Sequence, residues 1–185
     1  EMFKTYSTAE KKIYIMAHFN HPRELTPEAI EGLDLLLKSG VTLVNQTPLV
    51  QGVNDDPEVL AELFAKLSYI GVPPYYVFLC RPTLGNETYS VPIERGFEIF
   101  EKARTLCSGL AKRARMVMSH ESGKIEVVGM TEEQIFFKYL RAADKHNDAR
   151  FMIYDRNPEA NWFDDYGETL DEFSWFSPSV QAGCS

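Results

Sequence analysis

Apolar positions along the chain switch between two periods. Residues 11 to 19 (KKIYIMAHF) predict a strand. Thr26 then stands where a helix cap is needed and Pro27 at the first helical position. Ile30, Leu33 and Leu37 fall on one face before Gly40 stops the helix. The unit repeats. VTLVNQ (41 to 46) predicts a second strand, and Asp56 and Pro57 open a helix whose Leu60, Leu63, Phe64 and Leu67 form a stripe closing at Gly71. PYYVFLC (74 to 80) predicts a third strand. Ser90, Pro92 and the face Ile93, Phe97 and Phe100 mark a third helix ending before Gly109, and ARMVMSH (114 to 120) a fourth strand.

After residue 122 the pattern becomes short strands, KIEVVG, QIFFKYL and FMIYD, separated by turn signals around Gly129 to Thr131 and Lys145 to Asp148. From Asn157 onward the chain is acidic and aromatic without a clean period, which predicts a wrapping tail, disordered in part. A βαβαβαβ series connects through right-handed crossovers into a parallel sheet covered by helices, either open or a slice of a barrel. No repeat, low-complexity tract or linker divides the chain.

Composition narrows the classes. The chain has 185 residues, 44% hydrophobic and 25% charged, enough to bury a core. A net charge of -8 without any basic run argues against a nucleic-acid or anionic-membrane surface. Cys80, Cys107 and Cys184 have neither disulfide-framework nor metal spacing, so a reducing cytoplasm is the simplest compartment. No signal peptide or long apolar span occurs. The first residue is Glu rather than Met, and the chain reads as a piece of a longer protein.

In such sheets ligands bind at the carboxyl ends of the strands. There the polar residues gather: His18, Asn20 and His21; Asn45 and Gln46; Arg81; then Ser119, His120 and Lys124. Each has an ordinary reading. A histidine at a strand end is commonly a turn residue, Asn45 and Gln46 a polar strand exit, and Asn54 and Asp55 a turn and helix cap. Cys80 reads as a small buried hydrophobe, and Lys124 behind Gly123 as a hairpin corner.

Taken together, HFNHPRELTPEA, NQTPLVQGVNDDPEVL, KLSYIGVPPYYVFLC, RPTLGNETYSVPIERG, SGLAKRA and SGKIEVVG resemble the C-terminal half of the lysine 2,3-aminomutase family of radical S-adenosylmethionine, pyridoxal-phosphate enzymes. The resemblance covers roughly residues 11 to 165. It implies an α/β fold: a partial (β/α) barrel fragment with a βαβαβαβ parallel sheet and a small antiparallel C-terminal appendage. The expected division is 1–122 for the second half of the barrel, 123–156 for the lysine strand and appendage, and 157–185 for the tail.

The resemblance also implies the chemistry. A [4Fe-4S] cluster cleaves S-adenosylmethionine, the resulting radical abstracts hydrogen from an amino acid, and the amino group migrates between neighbouring carbons while held by pyridoxal phosphate. Lys124 matches the Schiff-base lysine, with Gly123 beside it allowing close backbone approach. His18 and Gln46 match positions on the S-adenosylmethionine side, and Phe78 one beside the pyridoxal ring.

Departures from the family matter. Lysine-specific members hold the substrate ammonium with two aspartates; here one position is Arg81, and the second region reads Ser119-His120-Glu121. A cation about 4 Å from an ammonium costs on the order of 4 kcal/mol at an effective dielectric near 20. The expectation is therefore an acidic or neutral substrate side chain with Arg81 as carboxylate clamp and His120 on the substrate side. Asp56 replaces an interface zinc cysteine, so no such zinc is expected. The three cysteines lack C-x-x-x-C-x-x-C, which places the cluster ligands outside this chain and leaves the fragment inactive alone, awaiting the N-terminal half of the same protein. The first strand would present an unpaired edge, open to self-association as a homo-oligomer unless covered. The rival classes are a stand-alone cofactor-binding module and a protein-interaction module without catalysis.

Overall fold

The computed structural model describes residues 2–173. In chain order the elements are α1 (Met2–Tyr6), β1 (Tyr14–Ala17), α2 (Pro27–Lys38), β2 (Thr42–Leu49), α3 (Pro57–Tyr69), β3 (Pro74–Leu79), α4 (Ile93–Thr105), β4 (Arg115–His120), β5 (Gly123–Met130), β6 (Gln134–Ala142), β7 (Phe151–Asp155) and β8 (Asp171–Phe173). The fold is mixed α/β, an eight-stranded sheet ordered β1 to β8 in which parallel pairing gives way to antiparallel pairing. The described residues fall into two compact units: 2–78 with 98–115, and 79–97 with 116–173.

In the first unit the helix starts form where the caps stand. The Thr26 side chain accepts from Ala29 N, and the Asp56 carboxylate accepts from Glu58 N and Val59 N, each followed by a proline whose missing N–H costs nothing there. β1 runs parallel to β2 with Tyr14 opposite Thr42 and Ala17 opposite Asn45. Strand alternation sends Ile15 and Ala17 to the helix side, where they pack on Leu33, Leu43, Leu63, Leu67 and Val72. Fully burying each such side chain contributes about 1.5–3 kcal/mol. The opposite face keeps Tyr14 and Met16 exposed over a cavity of about 580 Å³ that Val44 and Tyr75 also line. β1 is shorter than the predicted 11–19 because pairing with β2 stops at Ala17. α1 escapes sequence reading: its five residues carry no period, and Phe3 holds it to the core.

In the second unit β4 turns into β5 through Glu121 and Ser122, with His120 opposite Gly123 and Ser119 opposite Lys124. β5, β6 and β7 continue as an antiparallel meander. β8 was not predicted; Asp171 to Phe173 carry no strand pattern and are held by pairing with β7. Residues 157–170 pack rather than trail. Phe137 on β6 meets the rings of Phe163 and Tyr166 at 5.3 and 5.1 Å, and Tyr154 meets Phe163 at 5.6 Å, all edge-to-face. Glu94, 2% exposed, anchors the start of that segment by accepting from Arg156 Nε at 2.8 Å and Asn157 N at 2.6 Å. The expectations for Cys184 and for disorder in the last residues lie outside the described residues.

Candidate functional site

Two groups of predicted residues are built separately, one in each unit. In the first, strand alternation puts His18 and Gln46 beyond Met16 and Val44, at the carboxyl ends of β1 and β2. The Gln46 amide Nε2 donates to His18 Nε2 at 2.5 Å, leaving Nδ1 as the histidine's donor. His18 is exposed and Gln46 half-buried, so both present polar atoms at the strand mouth.

What fixes these ends is a set of buried amides whose ordinary sequence reading is a polar strand exit for Asn45 and a turn and helix cap for Asn54. Asn45, 1% exposed, accepts from Phe19 N at 2.8 Å and donates to Phe19 O at 3.0 Å, clamping the exit of β1. Asn54, fully buried, donates to Asn20 O and Pro48 O, both at 2.9 Å, and accepts from Val50 N at 2.7 Å. Thr47 Oγ1 completes the link to Asn20 Oδ1. The loops after β1 and β2 are thus tied to one side chain. In the sequence Asn45 shows only as a polar residue closing an apolar run, and Asn54 only within a turn and cap signal. His21 is used locally: its Nδ1 accepts from Arg23 N, and Glu24 accepts from the backbone of Asn20 and His21, capping a short turn.

On β3, Phe78 is half-buried with its ring 5.6 Å from Tyr76. Cys107 is buried with its thiol directed at Ala61 O, and Cys80 is half-buried; burial pushes both thiols up.

In the second unit, Lys124 is half-buried on β5 directly after Gly123. Gly123 has φ +142°, and a Cβ there would lie 2.2 Å from Arg141 O and 2.8 Å from Ala142 Cα. Only glycine lets β5 approach β6 so closely. The close neighbour found here is thus the backbone of β6. The ladder slips between Lys124 and Ile125, an irregularity of the kind that re-aims a side chain. Arg81, exposed, donates through Nη2 to Ser119 O at 2.6 Å, the carbonyl of the residue opposite Lys124. It borders a cavity of about 400 Å³ with Thr83, Leu84, Asn86, Ser90 and Asn161.

His120 is held on both nitrogens. Nε2 lies 3.0 Å from Asp164 Oδ1, and Nδ1 lies 2.7 Å from Ser122 Oγ and accepts from Ser122 N at 3.1 Å. Among the described residues no cluster of three or more metal-ligating side chains occurs, and no helix is long and apolar enough to cross a membrane.

No family model matches the chain. A protein of Aquifex aeolicus (strain VF5), provisionally named an L-lysine 2,3-aminomutase, is 57% identical over 174 residues, 94% of this chain and 46% of the relative. The chain belongs to the lysine 2,3-aminomutase family. It matches the family's C-terminal half. The L-lysine 2,3-aminomutase of Clostridium subterminale is 43% identical over 97 residues, 52% of this chain and 23% of that protein. The glutamate 2,3-aminomutase of Clostridioides difficile (strain 630) is 37% identical over 111 residues, 60% and 26% of the two chains. The chain thus spans about half the length, or less, of the aminomutases it matches.

Proposed function

We propose that the chain forms part of an amino acid 2,3-aminomutase, an isomerase that works in the cytoplasm with pyridoxal phosphate and S-adenosylmethionine. The observation that carries the reading is Lys124, an amine at a ladder irregularity behind a glycine that no other residue can replace, in a chain 57% identical to a family relative.

The residues present fit the organic cofactors. Pyridoxal phosphate requires an amine for its aldehyde, a need that Lys124 meets in the second unit; Phe78, in the first, is of the apolar kind that a cofactor ring packs against. S-adenosylmethionine requires donors for its polar ends, which the Gln46 amide and His18 Nδ1 offer. A [4Fe-4S] cluster requires three thiolates, and Cys80 and Cys107 do not fit it; its ligands are assigned to the N-terminal half of the same protein. When bound, these groups supply the carbonyl that carries the migrating nitrogen and the radical that starts the migration.

This chain's residues then act as follows. Lys124 Nζ would be the group that holds the cofactor's aldehyde and frees it for a substrate amine. Gly123 keeps the lysine strand seated. Arg81, turned from Ser119 O, pairs with a substrate carboxylate through its planar fork, with His120 on the substrate side. The parallel strands are a segment of a (β/α) barrel that shields the radical from water.

The substrate carries an acidic or neutral side chain. Arg81 is exposed, so its repulsion of a lysine ammonium at 4 Å is about 1 kcal/mol in open water, rising to about 4 kcal/mol once closure lowers the effective dielectric to near 20. The test is turnover by the full-length enzyme with lysine, glutamate and neutral amino acids in competition. Preference for glutamate or a neutral amino acid, abolished by Lys124→Ala, is expected. A robust lysine preference overturns the substrate assignment, and full activity of Lys124→Ala overturns the lysine's role.

A further inference from the structure

The hairpin that carries Lys124 is latched to a residue 44 positions from His120. Ser122 N–H donates to His120 Nδ1, which makes that nitrogen an acceptor and puts the ring proton on Nε2, where Asp164 accepts it at 3.0 and 3.1 Å. With Nδ1 accepting, the Ser122 hydroxyl also donates to it, and Tyr139 OH donates to Ser122 Oγ at 2.8 Å. The directions agree along the whole series, Tyr139 to Ser122 to His120 to Asp164. The His120 ring is further held 5.4 Å from Phe163, beside Asp164, in an edge-to-face contact. Its side chain is 7% exposed, whereas that of Asp164 is 66% exposed.

We propose that Asp164, acting through His120 and Ser122, is a positioning residue for Lys124: the segment 157–166 is a strap whose carboxylate fixes the histidine tautomer and with it the turn that aims the lysine. The proposal rests on the reading of Lys124 given above. Both ring nitrogens of His120 are engaged within the chain, so the imidazole serves the turn. Besides the flanking ladder, Ser122 is held through its carbonyl by Ala143 N at 2.8 Å, through its hydroxyl by Tyr139, and through its N–H by the histidine ring. Freed of Asp164, the ring can take the other tautomer, in which Nδ1–H faces the Ser122 N–H and the turn must shift. Because Asp164 is mostly in water, its removal leaves the global fold nearly unchanged while loosening the turn.

The test is borohydride trapping in the full-length protein supplied with pyridoxal phosphate, followed by mass spectrometry of the Lys124 peptide over time. Wild type labels Lys124. Asp164→Ala labels it about tenfold or more slowly with an unaltered melting transition, the usual scale for losing an orienting partner. Asp164→Asn keeps an acceptor for Nε2–H and restores most of the rate. Equal labelling of Lys124 in wild type and Asp164→Ala refutes the positioning role and leaves the lysine's role standing. Equal slowing in Asp164→Asn and Asp164→Ala also refutes it. Absence of label on Lys124 in wild type refutes the lysine's role and the proposal together. Should Asp164→Ala fail to fold, Ser122→Ala carries the test, with the same slowing expected and equality refuting it.

Discussion

Replacing Gly123 by alanine sets one methyl group against backbone. The new Cβ would stand 2.2 Å from Arg141 O, 2.8 Å from Ala142 Cα and 3.1 Å from Arg141 C. Carbon–oxygen approaches settle at about 3.3 Å or more, so β5 must retreat from β6 by about 1 Å. No flexible side chain can absorb that movement. At φ +142° an alanine also carries about 1–3 kcal/mol of backbone strain. Overpacking adds about 1–3 kcal/mol, and weakening the ladder contact opposite Ala142 about 0.5–1.5 kcal/mol. The expected total is about 4 kcal/mol, a large share of the roughly 5–15 kcal/mol that holds a domain folded. In urea, with a slope of about 2 kcal/mol per molar, the midpoint falls by about 2 M. Gly32→Ala is the matched control: Gly32 lies in α2 with nothing within 4 Å of its would-be Cβ, and alanine there stabilises by about 0.5–1 kcal/mol. A Gly123→Ala midpoint within about 0.5 M of wild type would refute the account of the β5–β6 approach.

Asn54→Ala takes the side-chain partner from the Val50 N–H and the Asn20 carbonyl and one of two donors from the Pro48 carbonyl, and should cost about 2–4 kcal/mol by chemical denaturation. Glu94→Ala leaves Arg156 and Asn157 N without their buried acceptor, for a loss of about 3 kcal/mol and faster proteolysis in 157–166. Burial raises the Cys80 and Cys107 thiols, so at pH 7 to 8 their thiolate fraction is below that of a free cysteine. Iodoacetamide should therefore label both more slowly in the native protein than in urea, and native rates matching the unfolded ones would contradict the burial.

Local chemistry was legible in the sequence wherever a signal was short in range. Thr26 with Pro27 and Asp56 with Pro57 marked two helix starts to the residue, because capping involves atoms three positions apart. The change of period after residue 122 disclosed the switch from parallel to antiparallel strands. α1 and β8 were illegible since the packing of Phe3 on the core and pairing with the β7 edge, not a periodic pattern, create them. Asn45 looked like a polar strand exit and Asn54 like a turn former; their value lies in satisfying backbone groups of distant loops. His120 drew notice as a polar strand end, yet its partner Asp164 sits in a stretch whose composition gave no reason to pair them.

The strap between Arg156 and Tyr166 sets an order of events during synthesis. Every strand of the lysine hairpin leaves the ribosome before the carboxylate that latches it, and a contact spanning 44 positions closes late. A nascent chain stopped short of Asp164 carries the amine on an unlatched turn. On the proposed role of Lys124, its aim is then set only after residue 164 has emerged, when β1 to β7 already exist to receive it.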